Sequence, residues 1–182
     1  MDAFDTRLPP PLAELAELVF EDEAEDPDDA EHEPVDLEVY PAFLAADEGR
    51  DWIQAWTGNT ELGGAEFRFF GQDGSGGIVG LWLARAGAPL VEQPVVHFGS
   101  EGELLVVAAD VRDFLWLLAA GYGPRDVAGE HTRFDRVAHP RLTAFAEAHA
   151  GGPRRSAQAV LERGSEAFPN FAADVRALCR YA

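Results

Sequence analysis

The chain has no lysine. All 14 of its cationic side chains are arginine, a usage that reads as codon bias rather than as chemistry. It has one cysteine, Cys179. A single thiol excludes an internal disulfide and suits a reducing compartment. It also removes the paired thiolates on which structural zinc centres are commonly built. Long apolar runs are missing as well: every hydrophobic stretch is interrupted well before it is long enough to span a bilayer. The opening residues, M-D-A-F-D-T-R, offer neither a cationic start nor an apolar run of signal-peptide length. Together these absences predict a soluble, cytoplasmic protein.

Positive charge is scarce. Against the 14 arginines stand 33 carboxylates, a net charge of −19. The imbalance is uneven. Residues 1–120 carry five arginines and 26 carboxylates, about −21, whereas residues 121–182 carry nine and seven, about +2. Such a field disfavours nonspecific binding to nucleic acid or to an anionic membrane and favours a basic partner. Solubility alone is the competing explanation. With 182 residues, 47% of them hydrophobic, one domain with a sizeable core is expected.

Along the chain, Pro9-Pro10-Pro11 can open a helix, since proline is tolerated in a first turn. Leu12, Leu15, Leu18 and Val19 recur at helical spacing, which predicts a short amphipathic helix over residues 11–20. Residues 21–33 hold nine carboxylates in thirteen positions. Like charges at that density repel, so residues 21–36 are expected to form an acidic, solvated, mobile loop; the functional alternative is a polyanionic arm that competes for a basic groove. Phe43, Leu44, Trp52, Ile53 and Trp56 mark a second helix over residues 41–56, weakened at Gly49. Phe67 and Phe69 alternate with Glu66 and Arg68 as a half-buried strand. After a tight glycine loop at residues 72–77, Ile78-Val79-Gly80-Leu81-Trp82-Leu83 is apolar on both faces, as a covered strand is. Gly80 admits a bulge or a close neighbour there. Residues 95–98 and 104–108 read as a second hairpin turning at Gly99-Ser100-Glu101-Gly102. Asp110 is a good N-cap for the next helix, and Gly121 fits its stop. The remainder, about 140–150, 153–163 and 170–181, reads as two or three amphipathic helices, slightly basic, that would pack back on the acidic part.

No chemical motif is complete. Asp73-Gly74-Ser75-Gly76-Gly77 invites comparison with the G-D-S-G-G signature of trypsin-like proteases, but Gly74 separates the aspartate from the serine. The only upstream histidine, His32, lies inside the charge run. A triad needs the imidazole within hydrogen-bond reach of the hydroxyl, so the loop is a turn in which Asp73 caps locally. It lacks the lysine of a phosphate-binding loop and the spaced carboxylates of a calcium loop. If Val96 and Phe98 face the core, His97 faces the other way, as a structural or surface histidine rather than a base. His131, His139 and His149 have no metal-site spacing. Glu101 and Glu103, two residues apart in a hairpin, read as a solvated turn rather than a paired-carboxylate site. The tryptophans, Trp52, Trp56, Trp82 and Trp116, read as core. A partly exposed one beside carboxylates would instead anchor an interface, and Trp82 is the candidate.

Three pieces in order carry a resemblance. The first is Phe69-Phe70-Gly71, then Asp73-Gly74 and Gly77, then the strand with Trp82. The second is Pro94-Val95-Val96 followed by Ser100-Glu101-Gly102-Glu103. The third is Val107-Ala108-Ala109-Asp110 leading into Phe114-Leu115, Leu117-Leu118 and Gly121. In this order residues 41–123 resemble the SUKH superfamily, which includes the yeast cell-wall assembly regulator and many bacterial immunity proteins. The resemblance implies an α+β fold, with a mostly antiparallel sheet of four to six strands and helices packed against it, and no catalytic residues. The acidic stretch and the helical extension 124–182 lie outside that core.

The expectation is therefore a binding protein, not an enzyme. Members of this kind neutralise a cognate toxin, often a nuclease, by occlusion. A nuclease presents a cationic groove to phosphate, and carboxylates are drawn to it. The expected contacts are Asp47, Glu48, Glu61, Asp73, Glu101 and Glu103, with Trp82 as anchor; no cofactor and no metal are expected. The alternative is an intracellular interaction module without a toxin partner, which gene neighbourhood would separate. An enzyme would need a buried pocket with a perturbed carboxylate and an oriented histidine; no pair in the sequence predicts one.

Overall fold

The structure, a computed structural model, describes residues 5–22, 34–129 and 132–180. Residues 23–33, most of the expected acidic loop, lie outside the described residues, as do His131 and Tyr181. Five strands form one antiparallel sheet in the order of the sequence. They are β1 (Glu38–Val39), β2 (Phe67–Gln72), β3 (Ile78–Trp82), β4 (Val95–Phe98) and β5 (Leu104–Ala108). The described residues also form six α-helices: α1 (Pro10–Asp22), α2 (Ala46–Thr57), α3 (Val111–Ala119), α4 (Pro140–His149), α5 (Ala157–Ala167) and α6 (Phe171–Leu178). This is an α+β fold with helices packed on an antiparallel sheet. No described helix is long and apolar enough to cross a membrane.

Both faces of the sheet are covered, which is why its strands are apolar without interruption. Phe70, Val79, Leu81, Val95 and Val107 face one layer, closed by Leu12 and Leu15 of α1 and by Phe114, Leu117 and Leu118 of α3. Phe67, Phe69, Ile78, Val96, Phe98 and Val106 face the other, closed by Ile53 of α2 and by Phe171 and Val175 of α6. Each such buried side chain contributes roughly 1.5–3 kcal/mol. Glycines let the layers close. The ring of Phe69 lies over its register partner Gly80, where a Cβ would stand 2.7 Å from Phe69 Cδ1. At Gly71 a Cβ would stand 2.5 Å from the Glu38 carbonyl oxygen, so only glycine lets β1 join β2.

Helix α3 begins where expected. The Asp110 carboxylate accepts from the Asp113 amide at 2.9 Å, and Gly121 takes a positive φ of 85° after the last turn. Helix α2 begins at Ala46 rather than near residue 41. The intervening amides are already engaged: Tyr40 N–H donates to Phe70 O at 2.8 Å, Phe43 N–H to Thr6 O at 2.8 Å and Leu44 N–H to Phe69 O at 2.9 Å. Helix α5 begins at Ala157, not residue 153, because the Ser156 hydroxyl caps it by accepting from the Ala159 amide at 3.2 Å.

The C-terminal helices complete the core. Leu142, Ala146, Ala157 and Val160 join the first layer, while α6 closes the second. Asp113, 3% exposed, clasps α5 to α3: its two oxygens each take one guanidinium, Arg155 Nε and Arg163 Nε, both at 2.8 Å. Gly164 lies against the edge strand β5, where a Cβ would stand 2.9 Å from the Val106 carbonyl oxygen.

Candidate functional site

In an antiparallel meander alternate turns leave the sheet at the same end. The β2–β3 and β4–β5 turns therefore lie side by side, joined by a hydrogen bond from Ser100 Oγ to Ser75 Oγ at 3.2 Å. Asp73 follows β2 and organises the first turn. Its Oδ1 accepts from the Ser75 amide at 2.8 Å, the Ser75 hydroxyl at 2.5 Å and the Gly77 amide at 3.1 Å. Its Oδ2 meets His97 Nε2 at 2.6 Å. Gly77 has no room for a side chain, since a Cβ would run into Asp73 Oδ2 and His97 Nε2.

Asp73 is 2% exposed and His97 1%. Burial opposes the charge on Asp73, but the hydrogen bonds from Ser75, from His97 and from the two backbone amides outweigh it. They hold the carboxyl below the usual carboxylate range. An ionised carboxylate only accepts, so Nε2 of His97 carries the proton. The other ring nitrogen, Nδ1, is buried without a hydrogen-bond partner. The order is hydroxyl, carboxylate, imidazole. No hydrogen bond joins His97 to Ser75, so the imidazole is not placed to take the hydroxyl proton, as a nucleophile's base must be. What this arrangement does is fix the loop.

Around that loop opens a cleft of about 760 Å³, walled by residues 34–38 and 72–76. Asp36 Oδ1 accepts from the Gly74 amide at 2.6 Å, and Asp36 Oδ2 lies 3.7 Å from Arg125 Nη1. Glu38 Oε2 accepts from Gln72 Nε2 at 2.5 Å, and Gln72 Oε1 accepts from Tyr40 OH at 3.0 Å. In sequence, Pro34 follows directly on the run of carboxylates at residues 21–33.

The expected contact residues fall into three places. Asp73, Glu101 and Glu103 share the turn end of the sheet. Glu101 is exposed, while Glu103 folds back so that its Oε2 accepts from the Glu101 amide at 3.1 Å. Asp73 lies beneath the surface and shapes the loop. The C-terminal end of α2 reaches this end of the sheet, where Trp56 Nε1 donates to Gly99 O at 3.2 Å. Asp47 and Glu48 lie at the other end of that helix, about 13 Å along its axis from Trp56. Glu48 Oε2 accepts from the Ala45 amide at 2.9 Å. Glu61 is exposed and 3.6 Å from Arg180 Nη2. Trp82 ends β3 on the side away from the glycine turn, its ring against Phe168 and Phe171 at 5.5 and 5.1 Å. Asp36 and Glu38 were missed; His97, expected as a structural or surface histidine, is structural, and only its pairing with Asp73 was not foreseen. The signal for His97 was its alternation with Val96 and Phe98, which in a sheet covered on both faces means burial, not exposure. Among the described residues no three or more His, Cys, Asp or Glu side chains are grouped to hold a metal ion.

No family model, curated protein or solved structure matches the chain.

Proposed function

We propose that the protein is an immunity-type binding protein that neutralises a basic, nuclease-like protein toxin by covering its cationic groove. The observation that carries this reading is the gathering of Asp36, Glu38, Glu101 and Glu103 around two adjoining turns at one end of the sheet. The SUKH-like order of motifs over residues 41–123 supports it, and so does the charge of −21 on residues 1–120.

A nuclease holds its substrate with cations that neutralise phosphates. Carboxylates fixed on a short hydrogen-bonded turn present the same sign of charge to those cations. The long-range attraction raises the association rate, and a pinned turn loses little freedom on binding. Inhibition by occlusion needs no chemistry from the inhibitor. The test is to mix the purified chain with the nuclease toxin encoded beside its gene and follow association in stopped flow. A stoichiometric complex is expected, with association slowed by added salt. Glu38→Lys and Glu101→Lys together should slow it by about tenfold with unchanged melting. Absence of any complex with the neighbouring toxin, even at low salt, would overturn the reading.

A further inference from the structure

The C-terminal third carries a second surface of opposite character. The large hydrophobic side chains most exposed among the described residues are Phe134, at 44%, and Val137, at 66%. Both sit on the extended segment 132–139, ahead of α4. That segment is irregular but pinned. Tyr122 OH donates to Arg133 O at 2.9 Å and accepts from the Arg136 amide at 2.9 Å, and the His139 amide donates to Ala119 O at 3.0 Å. The Phe134 ring leans on Tyr122 at 5.7 Å. A lone exposed apolar side chain is ordinary; here two share one pinned segment.

Beside them opens a cleft of about 390 Å³, walled by Tyr122, Phe134 and three arginines, Arg136, Arg154 and Arg155. Among the described residues no carboxylate lines it. Arg136 is matched by Asp126, with which it makes two bonds of 2.8 Å. Arg155 shares the carboxylate of Asp113 with Arg163, and Arg163 also lies in the field of Asp110 and Glu166. Arg154 is exposed and has no partner among the described residues. The N-terminus of α5 opens onto the same cleft with no acidic residue in its first turn, and the amides there carry partial positive charge. The cleft wall therefore presents three arginines, Arg154 among them exposed, and a helix end, next to two bare apolar side chains, on a protein that is otherwise strongly acidic.

We propose that this cleft docks a peptide segment of another protein, one that carries an aromatic or aliphatic side chain between carboxylates. The carboxylates meet Arg154, Arg155 and the α5 amides, and the apolar side chain covers Phe134 and Val137. Free phosphate would leave the apolar pair uncovered. The chain's own acidic run, Glu21 to Glu33, contains no large apolar residue and supplies only the charge.

The test is a selection. A random linear peptide library displayed on phage is panned on the full chain at low ionic strength and counterselected on an Arg154→Glu/Phe134→Ser double variant. Surviving clones should combine at least two acidic residues with a neighbouring aromatic or aliphatic one. A synthetic peptide of the consensus should bind at least about tenfold more weakly to Arg154→Glu and to Phe134→Ser, about 1.4 kcal/mol each. Both residues are exposed, so melting should be unchanged; if Phe134→Ser lowers it, Arg154→Glu alone decides. The proposal fails if no clone distinguishes the two proteins, or if survivors are basic or purely apolar. It also fails if replacing the carboxylates of residues 21–33 with glutamine and serine tightens the peptide by about tenfold, because the occupant would then be the chain itself.

Discussion

Asp73→Ala removes one carboxylate and strands several donors at once. In the wild-type protein that carboxylate takes four hydrogen bonds, from the Ser75 amide, the Ser75 hydroxyl, the Gly77 amide and His97. The Ser75 hydroxyl can turn to Ser100 or to water. The Gly77 amide and the His97 ring are buried and have no such escape. A tautomer switch does not rescue His97: if Nε2 gives up its proton, Nδ1 carries it, and Nδ1 is already without a partner. A buried donor left unpaired costs about 1–3 kcal/mol, so the two together cost about 4 kcal/mol. Asp73→Asn keeps one acceptor oxygen and should cost about half as much. Urea unfolding of the full chain at neutral pH, followed by tryptophan fluorescence, reads both values. The sign with pH also follows. The folded pKa of Asp73 lies below its ordinary value of 3.8. Its ionised form therefore stabilises the fold above that value, and the contribution fades as pH falls through the folded pKa. The wild-type advantage over Asp73→Asn should shrink as pH falls below about 4. An alanine cost under about 1 kcal/mol, or equal losses for alanine and asparagine, would refute the assignment.

Other perturbations separate packing from recognition. Gly164→Ala should destabilise by about 1–2 kcal/mol in thermal melting, although alanine is the better helix former by about 1 kcal/mol, because the new methyl meets the Val106 carbonyl. Asp113→Ala should lower stability by about 1–2 kcal/mol, a modest figure because both arginines are partly exposed and regain water; the loss should shrink in an Arg155→Ala/Arg163→Ala background. Trp82→Ala should cost about 2–3 kcal/mol by uncovering Phe168 and Phe171. It should leave toxin association unchanged, since the ring is packed at the far end of β3; slower association with unchanged stability would make Trp82 an interface anchor instead.

The strands from Phe67 onward were readable because apolar character and turn glycines are local signals. So was the Asp110 cap, whose partner is three residues away. What escaped reading depended on distant backbone. Strand β1 is two residues long; Val35-Asp36-Leu37-Glu38-Val39-Tyr40 does alternate apolar and polar, but so short a run pairs only because Gly71 lets Glu38 approach. The stretch before α2 has a plausible helical pattern, yet its amides bond Phe70, Thr6 and Phe69, and pairing overrides propensity. Asp73 and His97 stand 24 residues apart and meet only once the hairpin register is set. Their residue types signal nothing until then.

The same topology explains why the carboxylates gather. A meander sends every second turn to one end, so Asp73 in one turn and Glu101 and Glu103 in another become neighbours through the pairing of β3 with β4. β1 then adds Asp36 and Glu38 by pairing Glu38 with Gln72 at that end. Clustering like charges costs repulsion, and a fold seeking stability alone would interleave arginines there. Instead, several cations of the C-terminal third are spent elsewhere, Arg155 and Arg163 on Asp113 and Arg136 on Asp126. Arg125, 3.7 Å from Asp36, is the exception, and its long separation makes it a weak one. Carboxylates concentrated on hydrogen-bonded turns, while arginines of the C-terminal third pair with Asp113 and Asp126, are the feature on which the proposal of a cationic partner rests.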